Sequence, residues 1–110
     1  MTMVASFEIP YRRFLDPEGR AVEAMPEFAR DPAALLPLYR AMVLTRTFDA
    51  KAISLQRTGR LGTYPSCLGQ EAMGVGLASA MKPEDVLLPS YREQGAQLWR
   101  GVSALEILLY

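Results

Sequence analysis

One strand cannot make a sheet, and Val86-Leu87-Leu88 is the only run in these 110 residues that reads as a buried strand. It is too short and too apolar to sit at an edge, so it belongs between layers. The order around it is helix, loop, helix, strand, helix, which fits one layer of an α/β domain. The expectation is therefore an α/β fold, mostly helical over this length, with one short parallel strand whose neighbours lie elsewhere.

Residues 1–30 carry Pro10, Pro17, Gly19 and Pro26 among Phe7, Ile9, Tyr11, Phe14 and Phe28. Proline fixes φ and pushes its predecessor towards extended geometry, which predicts an extended amino-terminal arm that turns at Asp16-Pro17-Glu18-Gly19. Residues 31–110 form the main unit. It opens at Asp31-Pro32, where the aspartate can accept from free backbone amides and proline suits the first helical position. This helix is predicted to run to Thr58 and stop at Gly59, with Pro37 kinking it or delaying its regular start. Two apolar stripes follow helical spacing, one through Leu35, Leu38, Met42 and Thr45 and one through Leu36, Tyr39, Val43 and Ala50 with Ile53. They predict burial on more than one side. Arg40, Arg46, Lys51 and Arg57 read as a solvated face.

Gly62, Pro65 and Gly69 make residues 61–69 a loop with polar tips at Thr63, Tyr64, Ser66 and Cys67. A helix is expected from Gln70 to about Met81, with Glu71 serving the positive end of its dipole. Gly74 and Gly76 each cost a helix about 1 kcal/mol against alanine, which predicts that another backbone approaches closely there. No GxGxxG precedes this helix, so it carries no dinucleotide fingerprint. Glu84 and Asp85 cap a turn. A helix over residues 93–99 and another capped by Ser103 complete the pattern. The last run, SALEILLY, is apolar to its final residue and lacks stop signals, which suggests a chain cut within a longer reading frame.

Twelve basic and twelve acidic side chains leave no net charge and no basic run, which argues against nucleic-acid or membrane-surface partners. Neither a secretory signal nor a spanning run is present, so a cytoplasmic setting is expected. The one cysteine, Cys67, has no internal disulfide partner and no neighbouring histidine to activate it. The chain lacks histidine altogether, and with it the commonest general base and metal ligand. No catalytic or metal-ligating residue is assigned to it; proton transfer falls to a cofactor or another chain.

The candidate site is Tyr91-Arg92, where the strand ends. Open α/β sheets hold ligands beyond the carboxyl ends of their strands, and a guanidinium beside a phenol at that point can grip an anion. The plainer alternative packs Tyr91 under the strand and pairs Arg92 with a surface acid such as Glu93.

YRAMVLTRTFD, GQEA and DVLLPSYREQG, taken together, resemble the amino-terminal part of the α subunit of thiamine-diphosphate-dependent 2-oxo acid dehydrogenases. The likeness covers about residues 32–110, and the arm FEIPYRRFLDPEG is similar to bacterial members. It implies a thiamine-diphosphate-binding fold in which Tyr91 and Arg92 hold the cofactor's diphosphate, with Tyr64 and Thr63 near the substrate channel. The implied reaction is oxidative decarboxylation of pyruvate or a branched-chain 2-oxo acid, with acyl transfer to a lipoyl group of the transacylase core. A β subunit is the implied partner in an α2β2 assembly, and it supplies the activating glutamate. Magnesium is implied too, through a GDG motif that these residues do not contain. Gln94 stands where many relatives have histidine; it keeps hydrogen bonding and cannot titrate. Two other readings stand beside this one: an acetoin dehydrogenase α subunit and a non-catalytic helical interaction module.

Overall fold

Asp31 starts the long helix as its chemistry directs. Its carboxylate accepts from the Ala33 amide at 2.9 Å, and Pro32 takes the first helical position. The computed structural model describes residues 1–110, and this first helix, α1, spans Pro32–Arg57. It continues through Pro37, which removes one backbone donor without ending the helix. Gly59 follows the Thr58 cap at φ +72° and closes the end with a pair of reverse bonds, Gly59 N–H to Gln56 carbonyl and Arg60 N–H to Leu55 carbonyl. Only a left-handed residue allows both, which is why glycine stands there.

Three further helices follow: α2 at Glu71–Ser79, α3 at Gln94–Trp99 and α4 at Ala104–Leu109. Ser103 and Glu106 cap α4 reciprocally, each side chain taking the other's backbone amide. Before α1 the chain has a turn at residues 16–19, an isolated bridge between Leu15 and Ala21 and a 3-10 turn at Glu27–Arg30.

The core is where α1, α2 and α3 meet, and it is made of small residues. Thr45, Ala52, Val75, Ala78 and Ala96 are fully buried. A methyl group at Gly74 would lie 3.2 Å from the Ala96 nitrogen, and one at Gly95 would lie 3.2 Å from Thr45 Oγ1. The predicted close approach is therefore real at Gly74 and is matched from α3 by Gly95. At Gly76 it is absent: nothing lies within 4 Å, and the residue sits on an open face of α2. Gly74→Ala is expected to destabilise this chain by about 1 kcal/mol, because backbone crowding outweighs the gain in helix propensity. Gly76→Ala is expected to stabilise it by about the same amount. Urea unfolding of the two variants checks both signs.

The strand is the main correction. Residues 85–90 take no regular structure and pair with nothing, and the backbone groups of Val86, Leu87 and Leu88 make no hydrogen bond. Val86 is 79% exposed and Leu88 88%. A strand is defined by its neighbour, and these residues contain none, so the chain is mainly helical. Arg100 holds the segment's start by donating to the carbonyls of Lys82, Pro83 and Asp85.

The second correction concerns α1. Its buried residues are Thr45, Phe48, Asp49 and Ala52, a single stripe, while Leu36, Tyr39 and Val43 are exposed. Burial on two sides is not achieved within this chain.

Candidate functional site

The stripe that α1 buries contains a carboxylate. Asp49 follows Thr45 by one helical turn and precedes Ala52 by three residues, so it faces inward and is 4% exposed. Buried carboxylates need donors, and the loop before α2 provides three. Tyr64 Oη donates to Oδ1 at 2.8 Å, Ser66 Oγ to Oδ2 at 2.7 Å and the Cys67 amide to Oδ1 at 2.8 Å. The Tyr64 ring meets Phe48 edge-on, with centroids 6.1 Å apart.

These contacts set the protonation of the cluster. Burial alone would raise Asp49, but the bonds from Ser66, Cys67 and Tyr64 outweigh it and hold the carboxyl below its ordinary 3.8. Burial and donation to Asp49 push the Tyr64 hydroxyl well above its usual range. Burial, with the Asp49 charge, pushes Cys67 up to about 12, so its sulfur is a thiol and not a nucleophile.

The other edge of the same loop faces the residues before α3. Arg92 Nη1 donates to the Ser66 carbonyl, and Gln94 Nε2 donates to the Pro65 carbonyl at 3.0 Å. Gln94 Nε2 also reaches the Tyr91 carbonyl at 3.3 Å, while its Oε1 is buried without a partner. The Arg92 guanidinium lies over the Tyr91 ring, 5.1 Å from its centroid. Pairing of Arg92 with Glu93 does not occur. Glu93 instead accepts from the backbone amides of Ser90 and Arg92, and the chain's ion pairs are Arg12–Glu23 and Arg46–Glu71. Arg92 thus keeps its charge uncompensated and most of its five donors free.

A cavity of about 670 Å³ opens beside this group, lined in part by Thr63, Tyr64, Tyr91, Glu93, Gln94 and Glu106. Three residues expected near ligand from the sequence, Thr63, Tyr64 and Tyr91, share its wall. Arg92 does not line it and is held at the loop through Ser66. The Tyr91 side is solvent-facing, since Tyr91 is 62% exposed. Tyr91 is therefore not packed away beneath the segment that precedes it.

Glu71 does more than serve the dipole of α2. It is buried and accepts from Arg46 Nε at 2.8 Å, so Arg46 is not merely part of a solvated face. The bond to Arg46 holds the Glu71 carboxyl below its ordinary value. No group of three or more His, Cys, Asp or Glu gathers to hold a metal ion, and no helix is long and apolar enough to cross a membrane.

Asp49 is the residue of this cluster that pattern reading passed over. Its signal was available: a carboxylate on the Thr45-Phe48-Asp49-Ala52 stripe is placed inward and must find donors.

The family model of the dehydrogenase E1 component matches residues 39–110, the stretch that holds Asp49, the loop and Tyr91-Arg92. The chain belongs to that family. It is similar to the pyruvate dehydrogenase E1 component subunit alpha of Acholeplasma laidlawii, 40% identical over 95 residues, covering 86% of this chain and 28% of that protein. Similar too are the 3-methyl-2-oxobutanoate dehydrogenase subunit alpha of Mycobacterium tuberculosis (38% identical, 91% of this chain, 28% of that one) and the mitochondrial 2-oxoisovalerate dehydrogenase subunit alpha 1 of Arabidopsis thaliana (34%, 93%, 22%). This E1 chain spans about a quarter of the length of those relatives. No solved structure matches it.

Proposed function

We propose that this chain is the amino-terminal part of the α subunit of a thiamine-diphosphate-dependent 2-oxo acid dehydrogenase. The reaction is oxidative decarboxylation of pyruvate or a branched-chain 2-oxo acid, with acyl transfer to a lipoyl group. The observation that carries the reading is Arg92: a half-buried guanidinium with no carboxylate partner, clamped between the Ser66 carbonyl and the Tyr91 ring.

The residues present fit a diphosphate. A guanidinium presents a fixed fork of donors to phosphate oxygens, and the exposed Tyr91 hydroxyl adds one more. The cavity itself carries Glu93 and Glu106 and no cation, so the anionic end belongs at Arg92 and not deep among those carboxylates. When bound, thiamine diphosphate supplies the electron sink for loss of carbon dioxide. This chain binds and orients. Arg92 and Tyr91 hold phosphate, Thr63 and Tyr64 form substrate-side wall, and Gln94 fixes the loop to α3. None of its buried titrating groups is set near neutrality: Asp49 lies below its ordinary value, and Tyr64 and Cys67 lie above theirs. Proton transfer is therefore assigned to the partner β subunit of an α2β2 assembly.

The same proposal makes residues 1–30 an arm and 31–110 part of the cofactor-binding α/β domain, where Val86–Leu88 joins a parallel sheet. The magnesium ligands lie outside these residues, the setting is cytoplasmic, and the chain alone is inactive. In the assembled component, thiamine-diphosphate-dependent release of carbon dioxide is expected from pyruvate or 3-methyl-2-oxobutanoate in a panel that includes acetoin. Turnover of neither 2-oxo acid by the loaded assembly would refute the reading.

A further inference from the structure

We propose that Asp49 is the positioning residue for the phosphate-holding guanidinium, acting through the loop that lies between them. The inference rests on the reading of Arg92 as the diphosphate site. Its evidence is the order of contacts. Asp49 is fixed in the buried stripe of α1, and its two oxygens take the Tyr64 hydroxyl, the Ser66 hydroxyl and the Cys67 amide. Two carbonyls of the same loop serve the other side: Ser66 accepts from Arg92, and Pro65 accepts from Gln94. Ser66 belongs to both sets of contacts, its hydroxyl on Asp49 and its carbonyl on Arg92.

Two features make the linkage mechanical. Arg92 has a long flexible stem and no carboxylate partner, so the Ser66 carbonyl and the Tyr91 ring are what hold its head in place. The loop has no regular structure of its own from Gly62 to Pro65, so its position is set by side-chain contacts: Asp49 ties it to α1 through three bonds, and Gln94 ties it to α3 through one. A binding group must be held by neighbours whose own positions are locked, and Asp49 supplies that lock.

The charge of Asp49 is not the active property; its acceptors are. Asp49→Asn keeps Oδ1 for Tyr64 and Cys67, and the Ser66 hydroxyl can turn to accept from Nδ2. Asp49→Ala keeps none of the three. Equilibrium dialysis of thiamine diphosphate against the assembled component therefore separates the possibilities. Asp49→Ala is expected to weaken binding about tenfold and Asp49→Asn less than about threefold. In an Arg92→Ala background, Asp49→Ala is expected to add less than about twofold, because residues that act through one another are not additive.

Three results would overturn the proposal. Asn as harmful as Ala would assign the effect to charge. Equal losses from Asp49→Ala with and without Arg92 would make Asp49 a general structural residue. Unchanged affinity in Asp49→Ala would remove its role altogether. Arg92→Ala alone reports separately on the diphosphate reading: unchanged affinity there refutes that reading whatever Asp49 does. Should Asp49→Ala fail to assemble, Ser66→Ala removes a single bond from the loop side. It is then expected to weaken binding about threefold in the native background and to add nothing measurable to Arg92→Ala. Additivity in that pair would equally overturn the proposal.

Discussion

Replacing Arg92 by alanine is expected to weaken thiamine diphosphate binding in the assembled component by more than tenfold. A hydrogen bond to a charged group contributes about 1.5–3 kcal/mol, and about 1.4 kcal/mol is a factor of ten in affinity. Arg92 spends one donor on the Ser66 carbonyl and pairs with no acid, so a fork of donors remains for phosphate oxygens. Arg92→Lys is expected to fall between the native residue and alanine. It keeps the charge but offers a point donor in place of a planar fork, and it loses the geometry that stacks on Tyr91 while reaching Ser66. The ranking Arg, Lys, Ala in affinity, steeper at low ionic strength than at high, is the expected pattern in a dialysis series. Equal affinities across the three would remove Arg92 from the site.

Much of this arrangement is visible in the sequence because it is local. Asp31-Pro32, Gly59, and the Ser103-Glu106 capping box each define a helix end through contacts spanning only a few residues. The same holds for the stacking of Arg92 on Tyr91, which are adjacent in sequence, but not for the Ser66 carbonyl that holds Arg92 from 26 residues away. What pattern reading lost was relational. Val86-Leu87-Leu88 has the composition of a buried strand, but strand state depends on a partner that residues 1–110 do not provide. Arg46 looks like one of four surface cations until the fold sets it against Glu71, 25 residues away. Gly74 and Gly76 are indistinguishable in the helix, yet only one of them faces α3. Asp49 reaches across 15 to 18 residues to the loop, a distance no local spacing rule covers.

The largest loss of stability is expected from Asp49→Ala, about 3 kcal/mol, felt first as opening of the loop. Three donors lose their acceptor at once, and an unsatisfied buried donor costs about 1–3 kcal/mol. The penalties differ. The Cys67 amide is fully enclosed and has no other partner, whereas Tyr64 and Ser66 are half-buried and recover part of their loss from water. Release of the carboxylate from its own desolvation offsets some of the total. Hydrogen exchange at the Cys67 amide measures this loop opening directly, and protection there is expected to collapse in Asp49→Ala and to survive in Asp49→Asn. pH supplies the second test. Because the folded Asp49 carboxyl lies below its ordinary 3.8, its ionised form stabilises the fold fully above that value. The contribution is lost as pH falls through the folded value. The native chain should therefore exceed Asp49→Asn in Cys67 protection at neutral pH, and the gap should close on acidification below 3.8. Glu71 titrates in both proteins and cancels from the difference. A gap that widened with acid would mean that Asp49 is held protonated, and the three donors would then have to be assigned to another acceptor.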